Sequence, residues 1–494
     1  MPIDASVVAR VLGVETNFVN LSGGAIFLLP QRVAVVGQGS TASTYATTPA
    51  TYTTAAAVGT AYGFGSPLHL AALKLLPPSG GGLGTVPMTV YPLVDDGAGV
   101  ASAGDITPAG VHVGSASYRV VMNGVKSAAF TIADGEAAAA LKTRITAAIN
   151  AEVSMPMTAA DGAGDESDVT SKWEGLSANG ITLAIEGPID QGITFAFTQP
   201  VGGLVDPDVN LALALITTKW ETVVVSCFPV GVETELDAYE AWGEPRWGAL
   251  VRKPAHVFTG SNETVLATLT AIGDTRKLDR VNSLVWVPGA VELPLQIAAA
   301  GVARIAVQGN NNPPVDYAGQ RIDVTASSVT SDPLNFTERD QAVKAGLSTS
   351  EQSDSSAFLS DTVTFYHPDG ETPPAHRYVV DNVKLQQLIY NLQLIFEADE
   401  WKGAPLVPDD QVIKNKAARK PKDAVAAVAS MVDAAGSQAL ISDPDTAKGT
   451  ITAVIDSNNP KRLNVAVTVQ LSGNSNVIDV TLNFGFFFGT APTV

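Results

Sequence analysis

Between Thr222 and Val307 the chain repeats one pattern: a short apolar run, then a helical stretch. TVVVSCF (Thr222–Phe228) is followed by an amphipathic stretch over Leu236–Gly248, and HVFTG (His256–Gly260) by Asn262–Ile272. SLVWVPG (Ser283–Gly289) is followed by Pro294–Val307. Runs this apolar are buried on both faces. Strands joined through helices at this spacing predict a mostly parallel sheet covered on both sides.

The same pattern opens the chain. RVAVVGQGS (Arg32–Ser40) reads as a buried strand. After a Thr/Ala-rich loop, Gly65–Leu76 reads as a helix with Ser66 as its cap and Pro67 in its first turn. Val86–Leu93 is the next strand. LALALITTKW reads as helical where the α/β pattern resumes after the intervening module.

That module, from 111 to 203, is a small α+β insertion. YRVVMNGVKSAAFTI (Tyr118–Ile132) is two strands around Asn123-Gly124, a pair that favours a tight hairpin turn. Glu136–Glu152 is an Ala-rich helix, and ADGAGDESD an exposed acidic loop. Ile181–Gly187 and Ile193–Gln199 are further strands.

The style changes near residue 310. Thr337–Ala345 reads as a short helix capped by Thr337, Thr362–Tyr366 as a strand, and Val379–Phe396 and Asp423–Ala435 as helices. Leu463–Leu471 and Val477–Phe488 are strand-like. The expected division is an arm at 1–30, an α/β core at 31–110 and 204–345, the insertion at 111–203, and a C-terminal α+β domain at 346–494.

Charge narrows the function classes. The net charge is −19, with 49 acidic and 30 basic residues, and this opposes a sequence-specific nucleic-acid binder. No apolar run reaches the ~18 residues of a membrane span. The start lacks the basic region of a secretory leader, so assembly in a cytoplasm is expected. The one cysteine, Cys227, permits no intrachain disulfide. It reads as a small buried hydrophobe or, alternatively, a reactive thiol.

Chemical motifs are sparse. GQGSTAST (Gly37–Thr44) follows a strand but lacks the Lys of a phosphate loop and the third Gly of a dinucleotide fingerprint. His69, His112, His256, His367 and His376 form no helical metal pair. No GxSxG elbow occurs. Asp95-Asp96 sits at a strand end, where either a catalytic carboxylate or an exposed turn fits. No catalytic, cofactor-binding or metal residue is assigned, and no cofactor is expected. The sharpest charge anomaly is KNKAARKPK, with Lys414, Lys416, Arg419, Lys420 and Lys422 in nine residues.

Several stretches, in order, resemble the tail sheath proteins of contractile phages, in particular the Mu-like branch. They are AVVGQGS, YGFGSPLHLAALKLL and VPMTVYPLVDDG, then YRVVMNGV with SKWEGLSANGITLAIEG. EPRWGALVRKPAHVFTG and LNFTERDQAVKAGLSTSEQSDSSAFLSDTVTFYHP follow. Together they span most of residues 25 to 400.

The resemblance implies a subtilisin-like core with an inserted protruding domain. It implies a structural subunit, not an enzyme. Such subunits stack as hexameric rings in a helical array around an inner tail tube, and contract to drive the tube through the host envelope for genome delivery. The implied partners are further copies of the chain, the tube protein, and baseplate and tail terminator proteins, with no membrane insertion. The implied place is the virion tail.

Family members interlock through terminal arms. The suitable residues here are Phe18, Val19, Leu21, Ile26, Phe27 and Leu28 at one end. At the other they are Val477, Ile478, Val480, Leu482, Phe484 and Phe486. Gly23, Gly24 and Gly473 are the candidate flex points, and the Lys414–Lys422 cluster is the candidate tube-facing contact. A phage-derived bacteriocin or injection machine, an α/β hydrolase-like enzyme and a surface adhesin are the alternatives.

Overall fold

The computed structural model describes residues 26–189, 191–327, 333–371, 374–476 and 478–482. The chain is a mixed α/β protein that divides into two compact units. Among the described residues, one holds Leu28–Gln387 with those from Gly473 onward, and the other holds Leu388–Ser472 with Ile26 and Phe27.

The larger unit is organised by Val33–Gln38, buried at every position. It pairs in parallel with Met88–Leu93 on one side and Val223–Ser226 on the other. His256–Ser261 and Asn282–Trp286 extend the sheet in parallel beyond Val223–Ser226. Ala50–Tyr52 closes the opposite edge, antiparallel to Met88–Leu93. The order across the sheet is therefore Asn282, His256, Val223, Val33, Met88, Ala50, naming each strand by its first residue. The expected parallel sheet is present.

Alternate side chains explain why both faces are covered. Val33 and Val35 enter one core with helices Pro67–Leu75 and Pro294–Asn311. Ala34, Val36 and Val224 enter another with Val209, Leu213 and Tyr239. Two glycines let Pro294–Asn311 lie close to the sheet. A Cβ on Gly260 would stand 1.9 Å from the Pro294 carbonyl oxygen, and one on Gly301 2.8 Å from Val285 Cγ2.

Between Met88–Leu93 and Val223–Ser226 the chain builds two antiparallel sheets. One orders Ile193–Val201, Ala101–Gly110, Ser167–Glu174 and Met157–Asp161. The other centres on Ala116–Met122, which pairs with Leu183–Glu186, Val125–Lys126 and Phe130–Ile132. Asn123 and Gly124 have φ of +46° and +83°, the left-handed pair that a two-residue hairpin needs.

Local structure departs from the sequence reading in several places, among them the expected strand Leu463–Leu471, which divides into Leu463–Ala466 and Gln470–Leu471 in separate sheets. The Thr/Ala-rich loop contains a helix, Ala55–Tyr62, whose cap Thr54 accepts from the Ala57 amide. The expected helix Glu136–Glu152 divides into a short 3-10 turn, Ala138–Ala140, and a helix, Lys142–Ala151. The acidic loop is shorter than expected, since Ala160–Asp161 and Ser167–Asp168 are strand ends, but its centre, Gly162–Glu166, is the largely exposed turn. LALALITTKW is regular helix only through Leu213, at the end of the short helix Asn210–Leu213. The cap of Phe336–Lys344 is Asn335, not Thr337, because Asn335 and Glu338 satisfy each other's backbone amides. Thr362–Tyr366 makes only isolated bridges, to Ser283 and Tyr378.

Helix Val379–Phe396 matches its expected bounds. Its last turns belong to the smaller unit, with Pro421–Ser437, Pro444–Gly449 and two short two-stranded sheets. Leu388, Val428, Met431, Val432 and Leu440 form the centre of that unit's core.

Candidate assembly interface

A doubly wound sheet offers a crevice beyond its strand ends where the winding direction reverses. Here that point lies between Val33–Gln38 and Val223–Ser226. The chain's own groups fill it. Gln38 Nε2 donates to Asp95 Oδ1 and to the Glu174 carbonyl, each at 2.7 Å. Thr41 Oγ1 donates to Asp95 Oδ2 at 2.6 Å, and the Thr41 amide to the Lys172 carbonyl at 2.8 Å. The Gly39 amide donates to the Tyr45 hydroxyl, which donates to the Leu93 carbonyl, each at 2.9 Å. Burial pushes that phenol up to about 12. Gly37 has no room for a side chain, since a Cβ would stand 2.6 Å from Cys227 Sγ. Burial also raises the Cys227 thiol, against thiolate chemistry there. Asp95 fastens the Gly37–Thr44 segment to the inserted sheet. Asp96 accepts from the Ala98 amide and makes the turn.

The five histidines are dispersed. His69 Nδ1 accepts from the Gly65 amide at 3.1 Å, and burial pushes the ring down to about 4. His112 is held between the Gly114 carbonyl and the Tyr118 hydroxyl. His256 is buried against Trp247, and is pushed down to about 3 by burial first and then by the neighbouring His376. His367 contacts the Phe365 carbonyl, and His376 bridges Asn382 and Arg280. Among the described residues no three His, Cys, Asp or Glu side chains gather as a metal site.

Sequence reading missed a carboxylate pair near this end of the sheet. Burial raises Asp206 to about 6 and Glu235 to about 7. Neither residue stands in a motif, so no local signal marks them.

The terminal segments differ in kind from these buried sites. Phe18, Val19, Leu21, Gly23, Gly24, Val477, Phe484 and Phe486 lie outside the described residues. Ile26 packs on the smaller unit's core, and Asn391 clasps the next residue. Its Oδ1 accepts from the Phe27 amide at 2.8 Å and its Nδ2 donates to the Phe27 carbonyl at 2.9 Å. That amide imitates a neighbouring strand, while the Phe27 ring stays exposed, as does Leu28.

At the other end, Ile478, Val480 and Leu482 are 77%, 76% and 81% exposed. Residues 478–482 pair with no strand among the described residues. Gly473 stands in open space.

The basic cluster divides. Arg419 pairs with Glu400 at 2.9 Å and lies over the Trp401 ring. Lys420 Nζ donates to the Asp409 and Gln411 carbonyls. These two fold their own loop, whereas Lys414, Lys416 and Lys422 project into solvent.

Beside that loop the smaller unit has an apolar cavity of about 740 Å³, lined by Leu392, Phe396, Trp401, Leu406, Leu463 and Val465. Strand Leu463–Ala466 borders it. That strand pairs with Thr452–Ile455 and, among the described residues, with no other strand. The groove went unnoticed in the sequence. Its one signal is Trp401, a large aromatic in a Gly/Pro-rich loop after an amphipathic helix.

Known structures similar to this chain include sheath proteins. A sheath tail protein of Listeria innocua is 12% identical with a TM-score of 0.48, over 90% of this chain and 92% of that one. A sheath tail protein of Desulfitobacterium hafniense is 12% identical with a TM-score of 0.44, over 93% and 100%. The contracted helical sheath of the anti-feeding prophage is 11% identical with a TM-score of 0.44, over 97% and 100%. No protein-family model matches the chain, and no curated protein matches it.

Proposed function

We propose that this chain is a structural subunit of a contractile tail sheath. It polymerises as stacked hexameric rings around an inner tail tube, and contracts to drive that tube through a host envelope. In this reading the large unit is the subtilisin-like sheath core, the sheets of 101–201 are its protruding insertion, and the chain does no catalysis. Assembly takes place in the host cytoplasm, and the product is part of the virion tail. Baseplate and terminator proteins cap the polymer at its two ends.

The observation that carries the reading is residues 478–482. They alternate apolar and polar side chains, expose all three apolar ones, and have no strand partner among the described residues. Such a segment is a strand in search of a sheet. The open edge of Leu463–Ala466 and the cavity beside it supply that sheet in a second copy. Backbone hydrogen bonds to the edge give strength, and alternate apolar side chains enter the groove. A head-to-tail contact of this kind closes into a ring where its rotation permits and otherwise propagates as a helical array. The N-terminal arm joins the same mesh, and Gly23, Gly24 and Gly473 let the arms bend while the cores move as rigid bodies. Lys414, Lys416 and Lys422 face the tube; reversing these three charges should weaken tube binding and leave rings intact.

Crosslinking tests the arm contact. Cys227 is buried and is the only native thiol, so introduced cysteines report cleanly. The double variant Val480→Cys, Val465→Cys should oxidise to a ladder of chains under conditions that favour assembly. A product that never exceeds one chain contradicts the proposed contact.

A further inference from the structure

We propose that the cavity between the glycine loop Pro77–Gly84, helix Pro294–Asn311 and strand Arg321–Thr325 is a binding site for a small oxyanion, a phosphate or a carboxylate. The cavity measures about 270 Å³ and is lined by Lys74, Ser79, Gly80, Gly81, Arg304 and Arg321, with Asp323 at its side. That volume falls below the range for drug-sized ligands and suits one small anion with its water.

The charges explain the choice of ligand. Lys74 is largely offset, with its Nζ 3.2 Å from Glu292 Oε1 and 3.3 Å from Asp323 Oδ2. Glu292 is committed elsewhere too, since it accepts from the Thr325 amide and hydroxyl. Arg304 and Arg321 are different. Arg304 Nε donates to the Arg321 carbonyl at 2.9 Å. Among the described residues, neither guanidinium has a carboxylate within ion-pair distance. Arg119, Arg246 and Arg377 also lack a carboxylate partner among the described residues, so what marks Arg304 and Arg321 is their shared cavity. Each brings to it a planar fork of donors suited to a carboxylate or a phosphate.

The loop opposite is shaped to let an anion approach. Gly80 and Gly81 have φ of +81° and +87°, where a side chain is strained. A Cβ on Gly81 would stand 3.5 Å from Arg304 Nη2, an ordinary contact distance, so the loop faces the guanidinium across a narrow gap. Ser79 lines the same cavity.

The anion has two possible sources: free phosphate, or a carboxylate from the acidic surface of a second copy. The first measurement is thermal unfolding of the full chain in inorganic phosphate against sodium chloride at equal ionic strength. Wild type should show a saturable rise in Tm, and Arg304→Gln, Arg321→Gln at least a tenfold weaker apparent affinity. Should Arg304→Gln fold poorly, Arg321→Gln alone, at an exposed position, should still weaken binding several-fold. The second measurement is pelleting of assembled protein. If the natural occupant is a neighbour's carboxylate, phosphate lowers wild-type assembly, and the double variant assembles less and ignores phosphate. If it is a free anion, phosphate leaves wild-type assembly unchanged or raises it. A chain with no saturable phosphate response, whose double variant assembles like wild type, overturns the site.

Discussion

Replacing Ile478, Val480 and Leu482 together by serine should abolish assembly at ordinary concentrations without destabilising the monomer. The three side chains are 77%, 76% and 81% exposed, the equivalent of a little over two fully exposed apolar residues. Burial is worth ~1.5–3 kcal/mol for each such residue, so burying this set in a neighbour is worth roughly 3.5–7 kcal/mol gross. Ordering the segment and losing its freedom consume a large share of that, leaving about 2–3 kcal/mol net per contact. At 1.4 kcal/mol per tenfold, the critical concentration should rise about 30- to 150-fold. The monomer should melt as wild type, because substitutions at exposed positions usually fall within about ±0.5 kcal/mol. Sedimentation across a concentration series reads the first quantity, and thermal unfolding below the critical concentration reads the second. A triple-serine protein that pellets at the wild-type threshold refutes the reasoning. So does one whose monomer melts many degrees lower, because the segment would then be packing on its own chain.

Three further predictions concern the fold that carries this surface. Gly260→Ala should yield little soluble protein, since its methyl would meet the Pro294 carbonyl and the Ala298 amide, both backbone atoms; a soluble variant with a wild-type urea midpoint would contradict that packing. Trp286→Ala empties a fully buried site and removes a hydrogen bond to the Glu263 carbonyl, at a cost of ~3–5 kcal/mol measured by urea unfolding. The third concerns pH. His256 is held neutral in the fold at about 3, below the ~6.5 of an unfolded imidazole. Its contribution is complete above that pH and is lost as pH falls below it. Glu235, raised to about 7, acts oppositely. Its contribution is present below the unfolded value of ~4.3 and is lost as pH rises toward 7. His256→Phe should therefore gain on wild type as pH falls from 7 to 4.5, and Glu235→Gln should gain as pH rises over that span. Urea midpoints for each pair across pH give the sign directly, and parallel curves would show that the groups are not buried as described.

The parts legible in the sequence were those set by local chemistry. Ser66-Pro67 fixes a helix start by itself, Asn123-Gly124 fixes a turn, and four consecutive apolar residues after Arg32 fix a two-sided strand. The parts that escaped depend on distant partners. Ala101–Gly110, with its Gly, Asp and Pro, has weak strand propensity, yet it is paired on both edges by Ser167–Glu174 and Ile193–Val201. Thr362–Tyr366 has strand composition but finds only single bridges. Ala55–Tyr62 looked like loop because its Thr and Ala residues carry little hydrophobic pattern, and the Thr54 cap decides it. The same division holds at the interface. The arm pattern around Val480 is visible in the sequence, because alternation is local. The groove of Phe396, Trp401 and Val465 is not, because residues some sixty positions apart form it. Of the basic cluster, composition gave the charge, but only the fold separates Arg419 and Lys420, which brace their loop, from Lys414, Lys416 and Lys422.

Electron microscopy of the purified chain, alone and co-expressed with a tube protein, tests the central claim most directly. Stacked rings or striated cylinders that enclose the tube are expected, with two cylinder diameters once contraction is triggered. A chain that stays monomeric in every condition, tube present, would contradict that claim.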